Sequence, residues 1–546
     1  MSKIPAFIFI ILALTLSSAA QESVGTVSSS TGSIATIRVG VNALDTKALT
    51  LREAIELALE NSKELRVSHG AAKVAGYDVL AARGAFDPRF SGQSFIDNTK
   101  SPNVSIFSSN TSTTNKTVFG NASLFGLLKP TGTTVTASIT SQKVSTNNPI
   151  SLLSPQQNSN FNFSFAQPLL RGLRFDQARR VLTISKRSAE ISNLQLIQKT
   201  TDTVTSVQKA YWDLVFALRN LQVQRDGLRD SREQLEHNRR LVAEGQLAPN
   251  DILPSETQVA IIEQAVFEAT DIVGRAENAL KNFIAAGKDD TLWGLAIVPT
   301  DQPKAEIPTV SLEDAVSSAM AKRPELMIAA EQVGINEAEK RFYKDQARPQ
   351  IDLTASYTSA GIGGEKNPRF SSPFSSSCQT NPSTPSCVAQ LALINGLVGN
   401  SFTDVWANNF PSLRVGITFN FTVGRKTTEA QLGKAIVQGQ QIVAQQEQAQ
   451  QLVQIDVRNT LQALRTAEAK LKASTIAREN SEKQYESEKR KLDAGQSDIY
   501  RVLERQTAML SARSGELRAQ TELRKAVADY YRATGTTLEF NKIELK

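Results

Sequence analysis

The sequence predicts an α+β protein made of two internal repeats, in each of which a very long helical rod is joined to strand pairs. Three observations predict it. Apolar residues recur every seven positions from about Asp176 to Glu244, the same pattern returns from about Thr428 to Asp493, and elsewhere the hydrophobic period switches to two.

The first rod contains no proline and only one glycine, Gly227, and its seam runs through Val207, Leu214, Leu221, Leu228, Leu235 and Val242. Tyr211 and Leu218 add a second seam. A strict seven-residue repeat holds one stripe against a partner helix only when both are slightly underwound into a left-handed supercoil. At 1.5 Å per residue the rod is roughly 100 Å long, too long for any single globular core, so it must pack on other long helices. In the second rod Val457, Leu464, Leu471, Tyr485 and Leu492 follow Val207, Leu214, Leu221, Leu235 and Val242 by 250 positions. Both rods stop at the same punctuation, Glu244-Gly245-Gln246 and Ala494-Gly495-Gln496, and each restarts as a shorter helix from about Asn250 or Ser497.

Taken in order, the chain opens with a secretory signal over residues 1–20: Lys3, an apolar run from Ile4 to Leu16, and small residues at Ser18-Ala19-Ala20. That run is too short to span a bilayer as a helix, and no later run approaches the necessary length. The mature chain is therefore expected either to be soluble outside the cytoplasm or to enter a membrane as strands. A loose lead-in is expected over 21–48. A helix begins at Leu51 with Thr50 as its cap and Glu53 completing a capping box, and continues to about Arg83 before Pro88. The unit returns 261 positions later at Leu312-Glu313-Asp314-Ala315, capped by Ser311 and Asp314 and running to Gln346 before Pro349.

After each of these helices the pattern alternates. Val135, Ala137 and Ile139 alternate with Thr and Ser; Phe161, Phe163 and Phe165 alternate with Asn162, Ser164 and Ala166. In the second repeat Ile351, Leu353, Ala355 and Tyr357, then Leu413, Val415, Ile417, Phe419 and Phe421, alternate with small or polar residues. A barrel wall with lipid outside and water inside gives this pattern, and so does a half-buried sheet in a soluble protein. An extra apolar piece from Ala122 to Lys129, followed by Pro130-Thr131-Gly132, reads as an additional hairpin. Ser/Asn/Thr-rich segments from Thr99 to Lys116 and from Gly361 to Asn409 read as exposed loops. The second holds Cys378 and Cys387, which in an oxidising compartment are expected to form a disulfide worth about 2–3 kcal/mol.

Each repeat thus combines a short helix, a strand pair, a long rod and a shorter helix, with the two shorter helices able to lie end to end beside the rod. Four main strands cannot close a barrel of useful bore, and an open sheet edge is not tolerated in lipid. If the strands lie in a membrane, several chains must share one barrel.

The chain resembles the TolC-like outer-membrane efflux protein family. The residues that carry the resemblance are Leu51-Arg52-Glu53-Ala54 with Pro88, Leu312-Glu313-Asp314-Ala315 with Pro324 and Pro349, Gln167 through Gly172, and the segments Gly245–Leu253 and Gly495–Leu503. The resemblance implies a homotrimer with a twelve-stranded β-barrel in outer-membrane lipid, continued by a twelve-helix periplasmic tunnel. It also implies a role as exit duct for an inner-membrane pump or ABC exporter, reached through a periplasmic adaptor, in tripartite efflux or type I secretion. Repeats are expected over 49–287 and 310–534, with a linker over 288–309 and a tail over 535–546.

By the same resemblance, the turns around Gly245, Gln246 and Leu247 and around Gly495, Gln496 and Ser497 are the tips where an adaptor docks. A glycine after a long helix is also an ordinary C-cap. The family commonly carries two acidic residues one turn apart after the second tip, and the matching positions here are Arg501 and Glu504. A pore constriction is expected from Arg501, Glu504, Asp251 and Asp498, with Arg501 reversing the usual charge and pairing with Glu504 or Asp251. Solvated helix faces would show the same residues.

Chemistry of other kinds finds no support. The two histidines, His69 and His237, are far apart in sequence, and no phosphate-binding loop, zinc-ligand spacing or nucleophile elbow is present, so no enzyme, cofactor or metal is expected. The net charge of +7 is spread along the helices, which speaks against nucleic acid as a partner. An exported structural coiled coil or a periplasmic adaptor would be the alternative, but neither accounts for strand pairs inserted in both repeats.

Overall fold

The computed structural model describes residues 38–103, 111–246, 248–302, 308, 311–370, 399–421 and 423–543. The expected signal at 1–20, Leu247, and the cysteine pair Cys378 and Cys387 lie outside these residues. The first repeat comprises β1 (Asn42–Leu49), α1 (Leu51–Asn61), α2 (Lys63–Arg83), β2 (Arg89–Pro102), β3 (Ser112–Leu128), β4 (Thr133–Thr146), β5 (Leu153–Pro168), α3 (Gln177–Ala243) and α4 (Ile252–Ile284). After β6 (Leu295–Pro299) the second repeat follows as α5 (Leu312–Lys322), α6 (Pro324–Gln346), β7 (Gln350–Lys366), α7 (Asn400–Ala407), β8 (Phe410–Asn420), α8 (Lys426–Asp493), α9 (Ile499–Ala533) and the short α10 (Thr537–Phe540).

The rods are α3, of 67 residues, and α8, of 68. Asp176 caps α3 by accepting from the Arg179 backbone N–H at 2.7 Å. The heptad seam faces inward: Val207, Leu214, Leu221, Leu228 and Leu235 are buried in the first rod, as are Val457 and Leu464 in the second. Gly227 lets α3 and α9 approach closely, because a Cβ there would lie 2.8 Å from the methyl carbons of Leu510 on α9.

The shorter helices flank the rods end to end. Along its sheet-proximal half α3 meets α2, with Leu182 packed on Val79 and Ala82, and α6, through Arg187–Glu331 at 2.8 Å. Along its distal half it meets α4, through Arg239–Glu256 at 2.8 Å, and α9, through Lys525–Asp213 at 2.7 Å. The other rod, α8, packs on α6 and α9. Each chain therefore forms four helical columns in the order α2 over α4, then α3, then α6 over α9, then α8.

Each expected single short helix is in fact two. Thr50 and Glu53 form the capping box of α1, but Ser62 has ψ 120° and caps a new helix, α2. Likewise Arg323 has ψ 125° immediately before Pro324, whose ring disfavours helical geometry in the residue ahead of it. The segment expected to be a loose lead-in also differs, since its end forms β1, which pairs in parallel with β6 from the inter-repeat linker.

That small pair is docked over a buried ionic cluster. Lys281 and Glu277, one turn apart on α4, are both fully buried at 3.5 Å. Lys281 Nζ donates to the Trp293 and Leu295 carbonyls at 3.0 and 2.7 Å, while Glu277 accepts from the Ile297 N–H at 2.7 Å and from Arg38. Burial pulls the Lys281 pKa below its ordinary value. Tyr211, buried in the α3 seam, donates to Asp301 at 2.7 Å and to the Leu49 carbonyl at 3.0 Å.

The main sheet is six-stranded, in the order β2-β3-β4-β5-β7-β8, with every neighbouring pair antiparallel. The four main strands expected from alternation are thus joined by the additional hairpin and by residues read as loop. The two ends of Thr99–Lys116 belong to β2 and β3, where serine, threonine, asparagine and lysine occupy both sheet faces and mimic loop composition. The sheet of one chain has six strands, where the resemblance implies four.

Replacing Glu277 by alanine strands Lys281 and Arg38 in a buried site, at a cost of about 3 kcal/mol. The thermal midpoint of E277A is expected to fall, with faster proteolysis between β6 and α5; an unchanged midpoint would contradict the assigned role of the cluster.

Candidate functional site: the sheet face and the helix tips

Residues opposite one another in an antiparallel pair share a face, and successive residues along a strand alternate between faces. The register therefore defines rows running across the whole sheet. One row is Phe90, Leu124, Ala137, Phe163, Tyr357 and Leu413, apolar or aromatic in every strand. The row one residue along each strand, on the opposite face, is Ser91, Ser123, Ser138, Asn162, Thr358 and Ser412, polar in every strand. Neighbours in that polar row hydrogen-bond, with Ser91 and Ser123 hydroxyls at 2.7 Å and Thr358 donating to Asn162 at 3.1 Å. Val135, Phe165, Ala355 and Val415 form another apolar row. Along these rows the sheet separates an oily face from a wet one; further along the strands Phe95 and Phe119 stack at 4.8 Å on the face of Ser91 and Ser123.

The edges of both layers are apolar and unfilled. β2 and β8 end the sheet, and among the described residues no further strand lies beside either. On these strands Phe90, Ile96, Leu413, Val415, Ile417 and Phe419 are exposed. The outer helical columns carry exposed Val67, Val74 and Tyr77 on α2, and Ile436, Leu452 and Ile455 on α8. Among the described residues, no helix is long and apolar enough to cross a membrane.

At the far end of the rods the two tips are built alike. Gly245 has φ +73°, with its N–H on the Val242 carbonyl and the Gln246 N–H on that of Leu241. Gly495 has φ +69°, with the corresponding bonds to Leu492 and Lys491. Both are Schellman-type caps, in which a left-handed residue turns the chain back to satisfy the last carbonyls. Nothing lies within 4 Å of a Cβ built at either glycine, so backbone conformation alone selects them.

Of the expected constriction residues, Arg501, Glu504, Asp251 and Asp498 are all exposed near these tips. Asp498 caps α9, accepting the Arg501 N–H at 2.8 Å, and its other oxygen meets the Arg501 guanidinium at 3.4 Å. Within one chain Arg501 therefore pairs with Asp498 and not with Glu504 or Asp251. The cap brings that carboxylate under the guanidinium one turn away. Asp251 instead accepts from the Ala248 N–H at 3.2 Å in its own turn. Ser497 donates to Glu488, which holds that carboxyl below its ordinary pKa.

Glu504 lines an open groove of about 870 Å³ between α4 and α9, with Leu253, Ile261, Tyr500 and Leu503. Leu253, Ile261 and Tyr500 are exposed in it. The sequence places Leu253 and Tyr500 in the segments that carry the resemblance but gives none of the three a role; apolar residues outside the heptad seam on the helix after a tip were the available signal. Below the groove polar side chains replace the apolar seam: Asn238 donates to Ser255 at 2.8 Å, and Gln506 to Ser231 at 2.9 Å. Among the described residues no group of His, Cys, Asp or Glu could hold a metal ion.

A model of the outer membrane efflux protein family matches residues 133–286, from β4 through α4. None of the curated proteins matches significantly. Among solved structures the chain is similar to the outer-membrane channel OprN, at 15% identity over 91% of this chain and 94% of that one, with TM-score 0.60. It is similar to the CmeC outer membrane channel of Campylobacter jejuni, at 14% identity over 89% and 86% of the two chains, with TM-score 0.61. The open state of the MtrE outer membrane channel of Neisseria gonorrhoeae gives 16% identity over 89% of each chain and TM-score 0.59. The chain has the fold of these outer-membrane channels, and the resemblance to outer-membrane efflux proteins is borne out by the matched segment and the fold.

Valine at position 245 or 495 must adopt the left-handed conformation, at a cost of about 1 kcal/mol. In G245V and G495V the amides of the affected tip are expected to exchange about fivefold faster, with the global thermal midpoint unchanged. Exchange at the wild-type rate in both variants would contradict the need for a left-handed residue at the caps.

Proposed function

We propose that the protein is the outer-membrane exit duct of a tripartite efflux or type I secretion system, passing substrate from an inner-membrane pump and periplasmic adaptor to the exterior. The observation that carries this reading is the six-stranded sheet, oily on one face and wet on the other, whose two edges are open and apolar above helical columns with apolar flanks. Such a chain completes itself only by heterologous contact with copies of itself, which closes a ring. Three copies place the sheets in outer-membrane lipid and the columns in the periplasm, enclosing one continuous lumen. The work of the duct is geometric and electrostatic; no bond is made or broken.

The tips are the proposed periplasmic end. Gly245, Gln246 and Leu247, with Gly495, Gln496 and Ser497, present the turns an adaptor engages. Arg501, Asp498, Glu504 and Asp251, repeated three times, set the charge of the narrowest ring. Arg501 is anchored to Asp498 within its own chain, so the ring carries closely spaced opposite charges. Glu504, with no such partner on its helix, supplies the net negative contribution from α9.

Planar-bilayer recording tests this reading. Purified protein of trimer mass is expected to form channels, with cation preference raised by Arg501→Glu and lowered by Glu504→Gln. Channels whose selectivity ignores both substitutions would move the constriction away from α9. Protein that is monomeric and stable in buffer without detergent would overturn the duct itself.

A further inference from the structure

The hairpin β3–β4 has no helix of its own. The strands β2, β5, β7 and β8 each adjoin one helical column, through α2, α3, α6 and α8 respectively. The order of columns matches the order of these strands, yet β3 and β4 lie between β2 and β5 although α2 and α3 touch directly. We propose that this hairpin is a fixed part of the lipid-facing wall, so that the duct's barrel has eighteen strands, a proposal that rests on the three-copy reading above.

At the level of Leu124 and Ala137 the hairpin shares the division of faces of its neighbours, while Phe119 and Phe125 of β3 lie on the face of Ser123. Leu124 and Ala137 continue the apolar row, and Ser123 and Ser138 continue the polar one, without a break at either junction. A hairpin folded into an aqueous lumen would have no need of an oily face in register with Phe90 and Phe163.

Its turn is also tied down. Arg179, at the start of α3, donates to the Pro130 carbonyl at 3.1 Å and to the Gly172 carbonyl at 2.6 Å, and pairs with Asp176 at 3.0 Å. Gly132 in this turn has φ +68°, and a Cβ there would lie 2.8 Å from the Arg179 guanidinium and 2.9 Å from the Gly172 carbonyl. The turn is thus locked to the point where β5 passes into α3.

The widths agree as well. Four helical columns spaced by 8–10 Å occupy an arc of about 36 Å. Strands 4.8 Å apart and tilted by about 40° occupy about 6 Å each, so four would cover about 25 Å and six about 38 Å. The added strands bring the sheet to the breadth of its helical layer. A closed wall of eighteen strands is in the size range that leaves an aqueous channel, so solute exclusion belongs to the helix tips and not to the barrel.

The test uses full-length protein with Cys378→Ser and Cys387→Ser, carrying single cysteines at positions 124, 137 or 163, with 123 and 138 as controls. Each is labelled with a fluorophore, reconstituted, and exposed to brominated lipid. Quenching at 124 and 137 equal to that at 163, with little at 123 and 138, is expected. Quenching at 163 alone would place the hairpin in the lumen and overturn the proposal. Native mass spectrometry decides the underlying reading separately: three copies are expected, whereas two would give a twelve-stranded wall and overturn both. Electron cryomicroscopy of the unsubstituted protein, counting strands around the wall, covers the case in which a labelled variant fails to fold, and a count of twelve in a trimer overturns the proposal.

Discussion

Backbone hydrogen bonding is the constraint on which the structure depends. Each residue of a strand brings an N–H and a C=O, and in hydrocarbon neither can turn to water, so a sheet there must have no edge. The six strands of one chain satisfy each other in the interior and leave β2 and β8 with one unfilled side. Everything below the sheet is compatible with filling those sides by further copies. The helical columns end in apolar flanks on α2 and α8, and the columns stand in the same order as the strands they feed. The sheet's demand for closure and the helices' demand for burial are therefore both met by the ring of copies proposed above.

The helical layer was largely legible in the sequence because its signals are local and duplicated. Val207 through Leu235 declare a seven-residue stripe, Thr50 with Glu53 and Ser311 with Asp314 declare helix starts, and Gly245 and Gly495 declare ends. These features depend on a few neighbouring residues, and the structure keeps them. The breaks at Ser62 and Arg323 were less visible, since a serine within a helical pattern is tolerated and a proline is also a good first residue of a helix. The β1–β6 pair was hidden because its partners are some 250 positions apart, as in Thr46 with Ala296.

The sheet was legible in type and not in extent. Phe161 through Phe165 announce an apolar face by alternation, but the first part of β3, with Thr113, Thr114, Asn115 and Lys116, looks like an exposed loop. The reason is physical. Here both faces are polar, Thr113 and Asn115 on one and Thr114 and Lys116 on the other, and composition does not distinguish such a strand from a solvated turn. The strand count of the sheet followed only from the register. At the tips the residue types were legible but their pairing was not, because Arg501 had several carboxylates in reach and the cap geometry of Asp498 decided among them.

The sequence spacing of the strands bears on how such a chain reaches its folded state. β2 through β5 form a meander whose neighbours are joined by short connections, so its hydrogen bonds close small loops at low entropic cost. β5 and β7 are neighbours across the whole of α3 and α4, and their pairing is strongly non-local. The hairpin β3–β4 turns what would have been one strand pair into a four-stranded unit able to form while the second repeat is still unstructured. The first repeat then offers a finished template edge, at β5, onto which β7 and β8 can zip once the rods have aligned.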